Sequence, residues 1–230
     1  MRKLRFYILF LCAILIHSCT TSKMLTSTIK PNEVSDIQKF EPLSFISLIE
    51  KGNRAKYNDS LSQKSKALLY DAIDTFKQMI PFTGDIFISD TSCNRKLKKE
   101  ILFLLNSANK QQMISTIKIP PILDSILESK GKRFGLITVA SGFTRTDGNY
   151  GGQLAKGLGI GLLTLGMYVQ TPVKSKSNIY IMIVDAKENN IAFFRKSILK
   201  EEEPLDRSVL KKQIQKIFEG YFWDKNKISL

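Results

Sequence analysis

Histidine is almost absent from this chain of 230 residues, and its one occurrence, His17, lies at the end of the first apolar stretch. Ser-His-Asp catalysis, Cys-His catalysis and most zinc sites depend on imidazole, which titrates near neutral pH. If the N-terminal segment is removed, as argued below, no histidine remains. The sequence therefore predicts no catalytic residue of these types and no metal site.

Cysteine is also scarce. Cys12 lies within the first apolar stretch, Cys19 follows it, and Cys93 stands alone in the rest of the chain. No intramolecular disulfide is therefore predicted, and the hydrophobic core must hold the fold unaided. Cys93 falls at a predicted helix start, where a thiol pKa can be lowered, but no base is near it in sequence. We interpret it as a partly buried structural thiol.

The glycine-rich segment Gly151–Val169 lacks both common nucleotide-binding motifs. A phosphate loop would need Lys followed by Ser or Thr after its last glycine, and a dinucleotide fingerprint would need glycine in place of Thr164. No cofactor is therefore predicted. As a helix, the segment would offer Gly157 and Gly161 for close packing; as a strand, its glycines would alternate with large apolar residues. Contact with a membrane, contact with another subunit and packing against the protein's own sheet all remain open.

The N-terminus has the layout of a secretory signal peptide. Arg2, Lys3 and Arg5 precede an apolar run from Phe6 to Ile16. A basic region, a short apolar region and a small residue before the cut are typical of such signals. The run is shorter than the ~20 residues that a spanning helix needs.

The residues that follow make the signal more specific. Ile16-His17-Ser18-Cys19 resembles the lipobox of Gram-negative bacterial lipoproteins. The resemblance implies cleavage between Ser18 and Cys19, a diacylglycerol thioether on Cys19 and acylation of the new N-terminus. Thr20, where an acidic residue could stand, resembles the version sorted to the outer membrane. Several acyl chains anchor a protein far better than one.

Processing would leave a basic chain of 230 − 18 = 212 residues, whose formal charge falls from +14 to +11 because three basic residues are lost. This charge suits lipid and lipopolysaccharide phosphates. The predicted partners are the membrane, through the acyl chains, and other envelope proteins or further copies of the chain. Nucleic acid is not a predicted partner, because an exported lipoprotein seldom meets it.

Composition divides the chain into three parts. We interpret 1–18 as the signal peptide, 19–40 as a lipidated flexible tether and 41–230 as one globular domain. The tether prediction follows from a Ser-, Thr-, Lys- and Asn-rich composition without a sustained hydrophobic period.

The globular part alternates strand-like and helical patterns. The predicted strands cover about 45–49, 85–88, 133–140, 178–184 and 191–195, and amphipathic helices cover about 60–79, 95–105, 121–131 and 206–221. Alternation of this kind predicts an α/β or α+β fold, with about four helices covering a mixed sheet that includes a C-terminal strand hairpin. The hairpin loop is polar, with Asn189 and Asn190 suited to positive φ. The covered sheet and the hairpin, which ends in Phe193-Phe194-Arg195-Lys196, are similar to curli-secretion-channel-like envelope lipoproteins.

A polar loop is expected directly after the central strand. It contains Arg145, Asp147 and Tyr150. Because ligands of open α/β sheets bind beyond the carboxyl ends of strands, and Arg145 could hold a carboxylate or phosphate bidentately, this loop is a candidate ligand site. The alternative is a plain polar turn around Asp147. Ser141 lacks the preceding glycine that a nucleophile elbow needs.

Three hypotheses follow for function. The first is a non-enzymatic, lipid-anchored envelope protein that acts as a binding or assembly component at the outer membrane. The second is an oligomeric secretion or pore component that uses Gly151–Val169 as its membrane or subunit contact. The third is an envelope hydrolase that works without histidine, through serine and lysine or through carboxylates.

Overall fold

The centre of the computed structural model, which describes residues 20–164 and 171–224, is a nine-stranded mixed sheet. Its strands are β1 Thr20–Thr21, β2 Leu25–Thr26, β3 Ile37–Phe40, β4 Leu43–Ile49, β5 Lys56–Tyr57, β6 Phe82–Ile86, β7 Phe134–Arg145, β8 Lys176–Asp185 and β9 Asn190–Lys200. They lie in the order β1-β9-β8-β7-β3-β6, with β2 also on β9, and with β4 and then β5 on the β3 side of β7. Strands β3, β4 and β6 run parallel to β7, whereas β8 and β9 form an antiparallel hairpin beside it.

Helices cover both faces of this sheet. They are α1 Asp59–Asp74, α2 Thr91–Lys110, α3 Pro121–Ser129, α4 Asn149–Leu163 and α5 Arg207–Phe218. Helices α1 and α5 pack on one face around Phe134 and Phe193. Helices α2 and α3 pack on the other, around Ile137 and Phe194. The predicted mixed α/β fold, with a C-terminal hairpin and four covering helices, is confirmed.

The N-terminal segment differs from the predicted tether. Strands β1 and β2 pair antiparallel with β9, and β3 lies between β7 and β6. Ile37 and Phe40 are fully or almost fully buried. The interpretation of residues 20–40 as a flexible tether is therefore wrong. Strands of two to four residues leave no local hydrophobic period, and their partners lie far along the chain.

The central strand is longer than its apolar run. The apolar run predicts an end at Ala140, but β7 continues to Arg145, so Ser141 and Arg145 lie on a strand and not in a loop. The reason is pairing: β4 runs beside this half of β7 in register, from Leu43 opposite Val139 to Ile49 opposite Arg145. A strand paired on both sides tolerates polar residues.

Tyr221, just after α5, gives a testable pH dependence. Its ring lies 4.5 Å from that of Phe193, and its buried hydroxyl has no hydrogen-bond partner in the described residues. Burial raises its pKa to about 12. Since the unfolded value is about 10, its contribution to stability is complete below pH ~10 and falls as the pH rises through ~12.

We expect Tyr221→Phe to remove this alkaline loss. At neutral pH the variant should be equally stable or more stable by up to ~1 kcal/mol, because a buried hydroxyl without a partner is removed. Urea unfolding at neutral pH and between pH ~10 and ~12 measures both effects. An equal alkaline loss in the two proteins would contradict the assignment to Tyr221.

Candidate functional site

One end of the sheet brings the first described residue close to the strand that leads into the glycine-rich segment. Thr20 lies opposite Ile198, Ile198 opposite Asn178, and Asn178 opposite Ser141. Neighbouring strands are ~4.8 Å apart, so three steps along this row span about 15 Å. From Ser141, β7 continues to Arg145 at the same end.

Arg145 is held by four hydrogen bonds at this end. Its Nε donates to the Val173 carbonyl at 2.8 Å and its Nη1 to the Gly52 carbonyl at 2.9 Å. Nη1 also donates to Asn149 Oδ1 at 2.6 Å, and Nη2 to Asn53 Oδ1 at 2.9 Å. Four of the five guanidinium N–H groups are therefore engaged by three segments of the chain. Arg145 is a structural link between the β4–β5 loop, the start of α4 and the approach to β8.

The glycine-rich segment is a helix as far as it is described, which resolves the choice between helix and strand. Helix α4 follows the N-cap Gly148, whose φ of 76° favours glycine. Gly157 and Gly161 are buried, as close packing through a glycine edge predicts. Leu162 and Leu163 are exposed. Residues 165–169 of the segment lie outside the described residues.

The other predicted site residues are only partly brought together. Asp147 is exposed in the turn and Tyr150 is half-buried in the first turn of α4. Arg145 donates to Asn53, Asn149 and two backbone carbonyls, so its observed contacts are all within the protein. A ligand role for Arg145, Asp147 and Tyr150 stays a prediction. Ser18 and Cys19 lie outside the described residues.

A second polar cluster, around Lys39, has no signal in the sequence. The Lys39 side chain is 7% exposed. Its ammonium forms ion pairs with Asp74 at 2.9 Å and Asp85 at 3.3 Å and lies 4.8 Å from the centre of the Tyr70 ring. Burial alone would lower the pKa of Lys39, but its hydrogen bonds and charge contacts with Asp74 and Asp85 outweigh burial and raise the pKa. The hydrogen bond from Lys39 in turn lowers the pKa of Asp74. Lys39 and Asp74 therefore form an ammonium–carboxylate pair.

The basic run on α2 faces solvent, and the residue that follows it, Glu100, has a structural role. Arg95, Lys96, Lys98 and Lys99 are all exposed. The carboxylate of Glu100, on the same helix, accepts hydrogen bonds from the backbone N–H groups of Ile122 and Leu123 at 3.2 and 3.0 Å. This carboxylate caps the N-terminus of α3, which has no side-chain cap of its own.

Residues 20–164 and 171–224 were compared with the requirements of a metal site and of a membrane-spanning helix. No group of three His, Cys, Asp or Glu side chains there could hold a metal ion. None of the helices described is both long and apolar enough to cross a bilayer.

Comparison with known proteins assigns no family. No family model matches the chain, and no curated protein sequence matches it. Among solved structures, the PelC dodecamer from Paraburkholderia phytofirmans is similar at TM-score 0.41 and 6% identity, covering 90% of this chain and 100% of that chain. The LpoB C-terminal domain from Salmonella enterica gives TM-score 0.29 and 6% identity, with 76% and 87% covered. A DUF4136 family protein from Bacteroides thetaiotaomicron gives 0.32 and 6%, with 87% and 93% covered. At these TM-scores the likeness carries no inference about function.

Proposed function

We propose that this chain is a lipid-anchored protein of the bacterial envelope, attached through Cys19, and that its domain is a binding or assembly component and not an enzyme. The observation that carries the proposal is the run Ile16-His17-Ser18-Cys19 behind a basic and then an apolar stretch. The thiol would hold diacylglycerol, and Thr20 would sort the protein to the outer membrane.

The strand pairing at the N-terminus adds a consequence. Because Thr20 already pairs with Ile198, the anchored residue would be separated from the folded domain by no spacer. A lipid anchor directly attached to a sheet holds the domain against the bilayer, whereas a flexible tether would lift it away. The domain would therefore act close to the membrane surface.

The state of Lys39 argues against one form of the hydrolase hypothesis. A serine–lysine hydrolase needs a neutral amine as its base, and so a lysine whose pKa is lowered. The carboxylates of Asp74 and Asp85 act in the opposite direction on Lys39. This buried lysine is thus unsuited to be the base of the hydrolase hypothesis.

Intact-mass measurement of the detergent-extracted protein tests the anchor. We expect the parent protein to lack residues 1–18 and to carry the mass of its acyl chains. Cys19→Ser should retain residues 1–18 and carry no acyl mass, because no thiol is available. Intact mass tests acylation of Cys19 more directly than membrane fractionation does, because an uncleaved apolar signal peptide also holds a protein at a membrane.

Cys93→Ser is the matched control. It changes the same atom at the free cysteine of the described region, which is half-buried in α2. We expect it to keep the acyl mass and the cleaved N-terminus. A parent protein without acyl mass, or a Cys19→Ser protein that keeps it, would overturn the proposal.

An oligomeric secretion or pore component remains the second candidate. The exposure of Leu162 and Leu163 favours it, because exposed apolar side chains also suit contact between subunits. Light scattering of the acylated protein, with and without residues 151–169, distinguishes the two. A large assembly that dissociates on deletion would support this candidate, and a monomer in both cases would reject it.

A further inference from the structure

Helix α4 exposes an unusual concentration of apolar surface. Leu158, Ile160, Leu162 and Leu163 are 54%, 41%, 80% and 87% exposed. They are four of the eleven large hydrophobic side chains that are exposed in the described residues, and all four fall within residues 158–163. Contiguous apolar surface of this kind marks a contact with a membrane or another molecule.

The arrangement around the helix axis favours lipid as that contact. At 100° per residue, these four side chains spread over about 200° of the helix circumference, with Gly157 and Gly161 near the middle of the remaining arc. The buried glycines therefore form the inner edge of α4, and the apolar residues form its outer surface. A stripe that packs on one protein partner is narrower, at roughly 100° or a little more. A fluid apolar medium can cover the wider arc.

The position of the anchor supplies an independent reason. Cys19 immediately precedes Thr20, which begins β1 and pairs with Ile198, two residues before the end of β9. Through β8, Lys200 is level with Phe143, at the end of β7 from which α4 departs. Acyl chains on Cys19 would therefore enter the bilayer from the same end of the sheet as α4.

Charge at this end is complementary to lipid headgroups. Lys176 and Lys200 lie directly opposite each other in the last register pair of β8 and β9. Like charges in such a pair are destabilising, and neither ammonium has an ion pair in residues 20–164 and 171–224. Phosphate groups would relieve this repulsion. Lys156 is exposed on α4 itself. An acidic run at residues 201–203 directly follows β9. The attraction to lipid phosphates is therefore confined to Lys156, Lys176 and Lys200 and does not extend to the residues after β9.

We infer that α4 lies in the interface of the phospholipid bilayer beside the acyl anchor, with Leu158, Leu162 and Leu163 among the acyl chains and Lys176 and Lys200 at the phosphates. The inference rests on the proposed anchor at Cys19. It gives the domain one orientation, with the β8–β9 turn pointing away from the membrane. Strand β8 has ten residues, so that turn would be ~30 Å from the surface.

Quenching by brominated lipid tests this orientation. The acylated Leu162→Trp protein is reconstituted into phosphatidylethanolamine–phosphatidylglycerol vesicles with and without bromine on the acyl chains. Parent protein, whose single tryptophan is Trp223, supplies the background to subtract. We expect bromination to reduce the added emission about twofold, since interfacial helices bury their apolar face ~5–10 Å deep.

Lys187→Trp is the matched control, because Lys187 is exposed in the β8–β9 turn. We expect no change in its emission on bromination. Acylated protein in which Leu162→Trp is unquenched, or in which both positions are quenched alike, would overturn the inference and leave the anchor intact. Shielding of Leu162→Trp within an assembly, seen by light scattering, would overturn it in favour of self-association. Absence of acyl mass would instead reject the proposed function.

Discussion

Replacing Gly142 by alanine should destabilise the folded protein by about 3 kcal/mol or more, because the added methyl group has no room. A Cβ at this position would lie 2.0 Å from the carbonyl oxygen of Lys176 and 3.3 Å from Cβ of Pro204. The first of these atoms belongs to the backbone of β8, which pairs with β7 along ten register positions. Relief therefore requires the two central strands to separate locally. Urea unfolding followed by the emission of Trp223 measures the loss.

Gly151→Ala is the control for this prediction. A Cβ there meets no atom within 4 Å, and Gly151 lies in the first turns of α4. Alanine is favoured over glycine in a helix by up to ~1 kcal/mol. We expect this variant to be unchanged or slightly more stable. Equal effects of the two substitutions would show that steric contact with β8 is not the reason why position 142 requires glycine.

Local chemistry was sufficient to predict the hairpin and the covering helices. In the β8–β9 connection, Asn189 has a φ of 49°, which asparagine tolerates. Asp206 accepts hydrogen bonds from the N–H groups of Ser208 and Val209 at the start of α5, as its position before an apolar stripe predicts. Pro121 begins α3 and Gly131 has a φ of 63° after it. All these signals act over a few residues.

The errors of prediction have non-local causes. Lys39 is tolerated in a buried strand because Asp74 and Asp85, far along the chain, neutralise it. No pattern within residues 20–40 reports those partners, so the composition predicts a tether where the structure has a strand. The polar half of β7 is likewise a strand because β4 pairs with it up to Arg145. Local hydrophobic periodicity carries no information about the pairing of distant segments.

The sequence predicts only part of the geometry around Arg145 and the glycine-rich segment. Both a helical and an extended period fitted the glycine-rich segment, since glycine carries little preference for either. The presence of Arg145 beside this segment was predictable from the order of residues. Its engagement by Gly52, Asn53 and Val173 was not, because these lie in loops whose positions depend on the whole sheet.

Arg145→Met should cost about 2–3 kcal/mol of stability and loosen the start of α4. Methionine keeps much of the apolar stem but donates none of the four hydrogen bonds, two of which satisfy backbone carbonyls. Bonds from charged donors contribute ~1.5–3 kcal/mol each when measured singly, and relaxation recovers part of the sum. Amide hydrogen exchange should increase near residues 52–53, 149–152 and 173, the three segments that Arg145 joins. Urea unfolding measures the total.

Arg54→Met separates this effect from the loss of charge. Arg54 is exposed in the loop that Arg145 holds, so its replacement removes one positive charge from the same end of the molecule. We expect its stability to change by less than ~0.5 kcal/mol. If Arg145→Met were equally harmless, the guanidinium would be available for a ligand, and the carboxylate or phosphate site predicted from the sequence would regain support. If only Arg145→Met is destabilised, Arg145 serves to position α4. Adding Arg145→Met to the Leu162→Trp protein should then also weaken the quenching of that tryptophan by brominated lipid, although Arg145 itself does not face the lipid.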